Sequence, residues 1–263
     1  MVPGPDYSVL DRPELLNFIF YPRNDWTPSP AGSSDHLVPV DNGLHISCRL
    51  YFASVAAPSV LFFHGNGEVA CDYDYVAPAF QQIGLNLFVA DYRGYGRSDG
   101  RPTISHMMSD SHTIFHYFQD LARAGRYSGA LIVMGRSLGS YPAVELASCY
   151  LEGIKGLVVE SGFASVGRLL RNLGLPVELP GLSGLDVAHL SKVRSIRAPA
   201  LVLHGEIDSL VPLREGKYLY DNLGSVDKRL VTISGAGHND IMLVGMEEYF
   251  AAVQDFARRV VSS

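Results

Sequence analysis

The chain has 263 residues, 47% hydrophobic and 18% charged, which excludes a disordered or solvating polymer and suits one large α/β core. Its formal net charge is −6, and the longest basic run is the pair Arg258 and Arg259, so a surface that tracks nucleic-acid phosphates is excluded as well. Three widely spaced cysteines, Cys48, Cys71 and Cys149, form neither a disulfide framework nor a C-x-x-C metal pair and read as small apolar core residues. No basic-then-apolar leader opens the chain, and the cluster Leu15 to Tyr21 is too short for a bilayer. The expectation is a cytoplasmic protein without a transmembrane segment.

Residues 1–35 are proline-rich and read as an irregular lead-in. Next come two period-2 runs, Leu37 to Val40 and Leu44 to Leu50, either side of the turn Asp41-Asn42-Gly43. This pattern predicts an antiparallel hairpin on a sheet edge. Six short, nearly continuous apolar runs then recur: Val60 to Phe63, Leu85 to Ala90, Ala130 to Met134, Gly156 to Val159, Ala200 to Leu203 and Leu230 to Ile233. Strands covered on both faces have that composition. Between them lie stretches of helical length, Glu68 to Ile83, Ile104 to Ala124, Gly139 to Leu151, Leu213 to Leu223 and Met246 to Val260. The last carries an apolar stripe through Tyr249, Phe250, Val253, Phe256, Ala257 and Val260.

Such alternation predicts an α/β fold, a mostly parallel central sheet with helices on both faces, in a single domain spanning 1–263. One segment breaks the rhythm. From Ser161 to His189 the connection is longer than a crossover needs and reads as a short insertion after the sixth strand. Val166, Leu169, Leu170 and Leu173 stand at helical spacing, followed by a Gly/Pro-rich tail with Pro176, Pro180, Leu182 and Leu185. The reading is a lid-like short helix whose leucines Leu169, Leu170 and Leu173 form a thin apolar substrate wall, extended by Leu175 and Leu182. A helix pinned to the surface by the same leucines is the competing reading.

The chemistry begins at Gly135-Arg136-Ser137-Leu138-Gly139, directly after a strand and opening a helix. A turn of that kind forces its central residue into a strained conformation that lifts the side chain above the sheet. The flanking residues must be small because neighbouring backbone comes close. Ser137 is therefore the candidate nucleophile; a serine that merely caps the helix is the alternative.

With His64-Gly65-Asn66-Gly67, Asp91-Tyr92-Arg93-Gly94-Tyr95-Gly96-Arg97-Ser98, His204-Gly205-Glu206-Ile207-Asp208 and Gly235-Ala236-Gly237-His238 in order, the chain from about His36 onward resembles the α/β-hydrolase superfamily. Within it the likeness is to small-lidded esterases, thioesterases, lysophospholipase-like enzymes and serine aminopeptidases. His238 follows the last strand and Asp208 the one before, both at carboxyl ends, where sites of open α/β sheets collect. The order Ser137, Asp208, His238 is that of this fold's triad, with Glu206 and Asp240 as competitors for the acid. One oxyanion donor is expected from the backbone of Leu138, at a helix start. The resemblance assigns the second to Asn66. Arg93 reads as one half of a structural ion pair.

These features imply a serine hydrolase acting on a small-molecule ester or acyl substrate through an acyl-serine. No metal and no organic cofactor are expected. The alternatives are a serine aminopeptidase or amidase, with Glu178 or Asp186 to meet a free amine, and a non-catalytic binding protein on the same fold.

Overall fold

The computed structural model describes residues 5–174 and 179–262, so Leu175, Pro176 and Glu178 lie outside the described residues. Eight strands form one sheet: β1 (Ser33–Pro39), β2 (His45–Tyr51), β3 (Ser59–Phe63), β4 (Asn86–Ala90), β5 (Leu131–Arg136), β6 (Gly156–Glu160), β7 (Ala200–Gly205) and β8 (Lys228–Ile233). Their order is β1-β2-β4-β3-β5-β6-β7-β8. The hairpin β1–β2 is antiparallel and joins β4 antiparallel, while every pairing from β4 through β8 is parallel. The parallel strands β3, β4 and β6 are buried at every position, which is why they carry apolar runs rather than alternation.

The helices are α1 (Pro13–Ile19), α2 (Ala77–Gln82), α3 (Ile104–Ala124), α4 (Ser140–Cys149), α5 (Val166–Asn172), α6 (Leu182–Ser195), α7 (Leu213–Asn222), α8 (Ile241–Val244) and α9 (Met246–Ser262). One face of the sheet is covered by α3, α4, α6 and α7 around Val133, Val159 and Val202. The other is covered by α2 and α9 around Met134, Val158 and Leu201. Successive residues of each strand thus feed opposite cores, as the pleat requires.

Four expectations need correction. The lead-in is not wholly irregular: it holds a 3₁₀ turn at Tyr7–Leu10 and then α1, which starts with Pro13 in its first turn, a position that suits the missing N–H. The stretch Glu68 to Ile83 splits into a 3₁₀ segment, Ala70–Tyr75, and α2. The insertion ends in a second helix, α6, that runs on to Ser195. Its buried positions are Leu182, Leu185, His189 and Val193, a stripe in which one member is a histidine and so reads as polar in sequence. Of the cysteines, Cys48 is buried, but Cys71 is half-buried and Cys149 exposed.

Glu145 of α4 ties the lead-in and the insertion to the sheet. Tyr7 donates to its Oε2 at 2.5 Å, and Lys192 of α6 pairs with the same oxygen. His112 Nε2 lies 3.6 Å from Oε1, and Cys149 donates to that oxygen. His112, Glu145 and Cys149 are thereby brought together although their sequence spacing gives no hint of it. The carboxylate is already engaged by Lys192 and Tyr7. Burial works against the charge, but His112, Lys192 and Tyr7 outweigh it and bring the pKa down to about 2. The stabilisation is therefore complete above the ordinary carboxylate pKa of about 4.3 and is lost as pH falls toward the folded value. Glu145→Gln should cost about 3 kcal/mol at pH 7, lowering Tm by on the order of 5–10 °C. Thermal melts should show the gap to wild type closing as pH falls from about 4.5 toward about 2; a gap independent of pH would mean that Glu145 does not act as an ion.

Candidate active site

At the end of β5 the chain turns sharply through a 3₁₀ segment, Ser137–Gly139, into α4. Ser137 takes φ 50°, the left-handed region that a residue with a Cβ enters at a cost. A Cβ on Gly135 would stand 2.1 Å from the Gly139 carbonyl oxygen, and one on Gly139 would stand 2.0 Å from that of Phe63. Both flanking positions therefore require glycine for backbone-to-backbone packing. Ser140 Oγ donates to the Ser137 carbonyl at 2.6 Å and closes the turn.

Ser137 Oγ lies 3.0 Å from His238 Nε2, and His238 Nδ1 lies 2.7 Å from Asp208 Oδ2. All three residues are buried. The second oxygen of Asp208 accepts the backbone N–H groups of Leu210 at 3.0 Å and Val211 at 2.8 Å. Burial opposes ionisation of Asp208, yet His238 and the Val211 N–H outweigh it and hold the carboxyl below its usual range. Asp208 is therefore a carboxylate throughout the neutral range. The competing acids face elsewhere. Glu206 accepts from Ser234 Oγ and the Gly235 N–H, and Asp240 from the Gly237 N–H.

The loop after β3 is held from below and from the side. His64 is fully buried, with Nε2 at 3.2 Å from Asp91, and Tyr92 donates to its carbonyl at 2.6 Å. Asn66 Oδ1 accepts from the Tyr21 N–H at 2.9 Å and from Tyr95 OH at 2.7 Å. That side chain fastens the lead-in to the loop. Arg93 pairs with Asp110 and Asp41, the structural role read from its sequence context.

A cavity of about 220 Å³ opens at Ser137. Leu138, Asn66, Leu169, Leu170 and Leu173 all line it. Leu182 does not; it is turned into the interior beside Gly167. Leu10, Phe18, Ile19 and Tyr21 line the cavity from the lead-in, a contribution with no sequence signal beyond the apolar cluster Leu15 to Tyr21. No acidic side chain lines the cavity among the described residues. Asp186 instead caps α5, accepting from Ser165 Oγ at 2.8 Å and from the Gly167 N–H.

The family described as serine aminopeptidase, S33, matches residues 55–178 and 187–242, more than half of the chain. The chain belongs to this family. It is thus an α/β-hydrolase of the serine hydrolase superfamily, and hydrolysis is its class of activity. Similar proteins include alpha/beta hydrolase domain-containing protein 17B of Homo sapiens, 27% identical over 268 residues, covering 97% of this chain and 87% of the relative. Protein bem46 of Schizosaccharomyces pombe is 27% identical over 209 residues, covering 76% and 67%. In fold, the chain resembles the esterase Pf2001 of Pyrococcus furiosus with a TM-score of 0.73 at 19% identity, covering 92% of this chain and 100% of that one. Est1E of Butyrivibrio proteoclasticus, solved with ferulic acid bound, gives 0.71 at 22%, covering 87% and 100%. No described helix of this family member is long and apolar enough to cross a membrane.

Because Asp208 alone of the three candidate acids touches the imidazole, Asp208→Asn should lower kcat far more than Glu206→Gln or Asp240→Asn, by up to about 10⁴-fold. Steady-state kinetics on an activated ester would check this. A crippled Asp240→Asn beside an active Asp208→Asn would reassign the acid.

Proposed function

We propose that this protein cleaves a carboxylic ester or thioester through an acyl-serine at Ser137. The observation that carries the reading is the chain of contacts from Ser137 through His238 to Asp208, at 3.0 and 2.7 Å, beside an apolar cavity. In this mechanism His238 Nε2 takes the Ser137 proton as Oγ adds to the carbonyl carbon. Asp208 fixes the tautomer and offsets the imidazolium charge. The backbone N–H groups of Leu138 and Asn66 are the oxyanion donors. His238 then returns its proton to the leaving alcohol or thiol, and water repeats the sequence on the acyl-serine.

An ester or thioester fits better than a peptide with a free N-terminus, because the described cavity wall offers no carboxylate to meet an ammonium group. Its aliphatic lining suits an acyl chain. The three unpaired thiols fit a reducing, intracellular setting.

Ser137→Ala should fold normally and lose roughly 10⁴–10⁶-fold in kcat. A fluorophosphonate should label wild type at Ser137 and leave the variant unlabelled; a folded wild type that shows no burst and no labelling is a binding protein instead. Across p-nitrophenyl esters, kcat/KM should rise about fourfold per methylene, at about 0.8 kcal/mol each, and level off once the cavity is full. Leu170→Ala/Leu173→Ala should flatten that rise. A lower Tm with an unchanged profile would leave these leucines only the task of pinning α5.

A further inference from the structure

Arg136 stands between Gly135 and Ser137 and takes no part in the proton transfers described above. The residue is only 5% exposed, and three separate segments converge on its side chain. Nε donates to Glu160 Oε1, at the end of β6, at 2.9 Å. Nη1 pairs with Glu68, just past the loop that carries Asn66. Nη2 donates to the backbone carbonyl of His238 at 2.8 Å and to Asn239 Oδ1 at 3.1 Å. The carboxylates are held in turn: Glu68 accepts from the Gly65 N–H at 2.7 Å and Tyr73 OH at 2.8 Å, and Glu160 from Tyr249 OH at 2.7 Å. Burial works against the guanidinium charge, but Glu68 and Glu160 outweigh it and keep its pKa above the ordinary value.

We propose that Arg136 is a positioning residue that sets the His238 loop and the Asn66 loop relative to Ser137. The proposal rests on the reading of Ser137, His238 and Asp208 as the catalytic triad. The two loops that must meet Ser137 are glycine-rich, Gly65 to Gly67 and Gly235 to Gly237, so their own backbone does little to confine them. A planar fork with five donors can bind several acceptors in fixed directions at once, which an ammonium group cannot. The fit over the first loop is close: a Cβ on Gly65 would lie 2.4 Å from Nη1. A side chain at Gly65 would thus displace the guanidinium. A buried ion cluster of this kind contributes little net stability, because desolvation offsets much of the attraction. Holding the reacting groups in register gives it a use that stability does not.

Arg136→Lys keeps the charge and loses the fork. It should lower kcat by roughly 10- to 100-fold, as a displacement of about 1 Å does, with KM changed by less than about threefold. The rate of fluorophosphonate labelling at Ser137 should fall in parallel. The double variant Arg136→Gln/Glu160→Gln removes one charge of each sign and should show the same split between kcat and KM. If wild type is labelled at Ser137 while both folded variants turn over at the wild-type rate, the positioning role is overturned and the triad stands. If wild type is not labelled at Ser137, it is the triad reading that fails. Two variants that do not fold would assign Arg136 to the fold and overturn its role in catalysis.

Discussion

The turn at Ser137 is the constraint around which the carboxyl edge of the sheet is organised. A serine at φ 50° costs on the order of 1–3 kcal/mol relative to a relaxed conformation, so the surroundings must hold it there. They do so by contact between backbones. The carbonyl of Phe63 presses on Gly139, and that of Gly139 on Gly135, which locks the start of α4 against the end of β3. Neither glycine can take a side chain without parting these elements. The same closeness brings Ser137 beside the Asn66 loop, because that loop begins where β3 ends. The geometry of the candidate nucleophile and of the candidate oxyanion donors therefore has one cause.

From this turn, the supports extend outward through Asp208 and His64. Asp208 uses one oxygen for His238 and the other for its own loop. His64 binds Asp91, which also accepts the Ala70 N–H. Asp208 and His64 are thus each fastened by further groups rooted at the edge of the sheet. This arrangement lets buried charges persist where isolated ones would neutralise.

Much of the fold and of the candidate triad could be read from sequence, for a physical reason in each case. Strands covered on both faces must be apolar throughout, and a turn as tight as that at Ser137 must have glycine at fixed offsets. Features defined by distant partners left little trace. The second insertion helix was hidden because His189 occupies one of its buried positions. There the imidazole lies stacked on Tyr141, and burial together with nearby Lys192 drives its pKa down to about 3. Arg136 looked like any residue inside a Gly-x-Ser-x-Gly motif, since its partners lie as far away as residues 68 and 239. The lead-in offered a proline and an apolar cluster but no periodicity long enough to betray α1.

Much of the cavity wall comes from two segments that the sheet does not need. Leu10, Phe18, Ile19 and Tyr21 come from before the first strand, and Leu169, Leu170 and Leu173 from between the sixth and the seventh. Neither supplies a residue to the Ser137, His238 and Asp208 contacts. On the proposed function, much of the selectivity is therefore encoded apart from the chemistry. On that reading, drift at wall positions such as Phe18 or Leu173 retunes what the protein accepts and spares the reacting groups, so descendants of one ancestor can part in diet while keeping the same teeth.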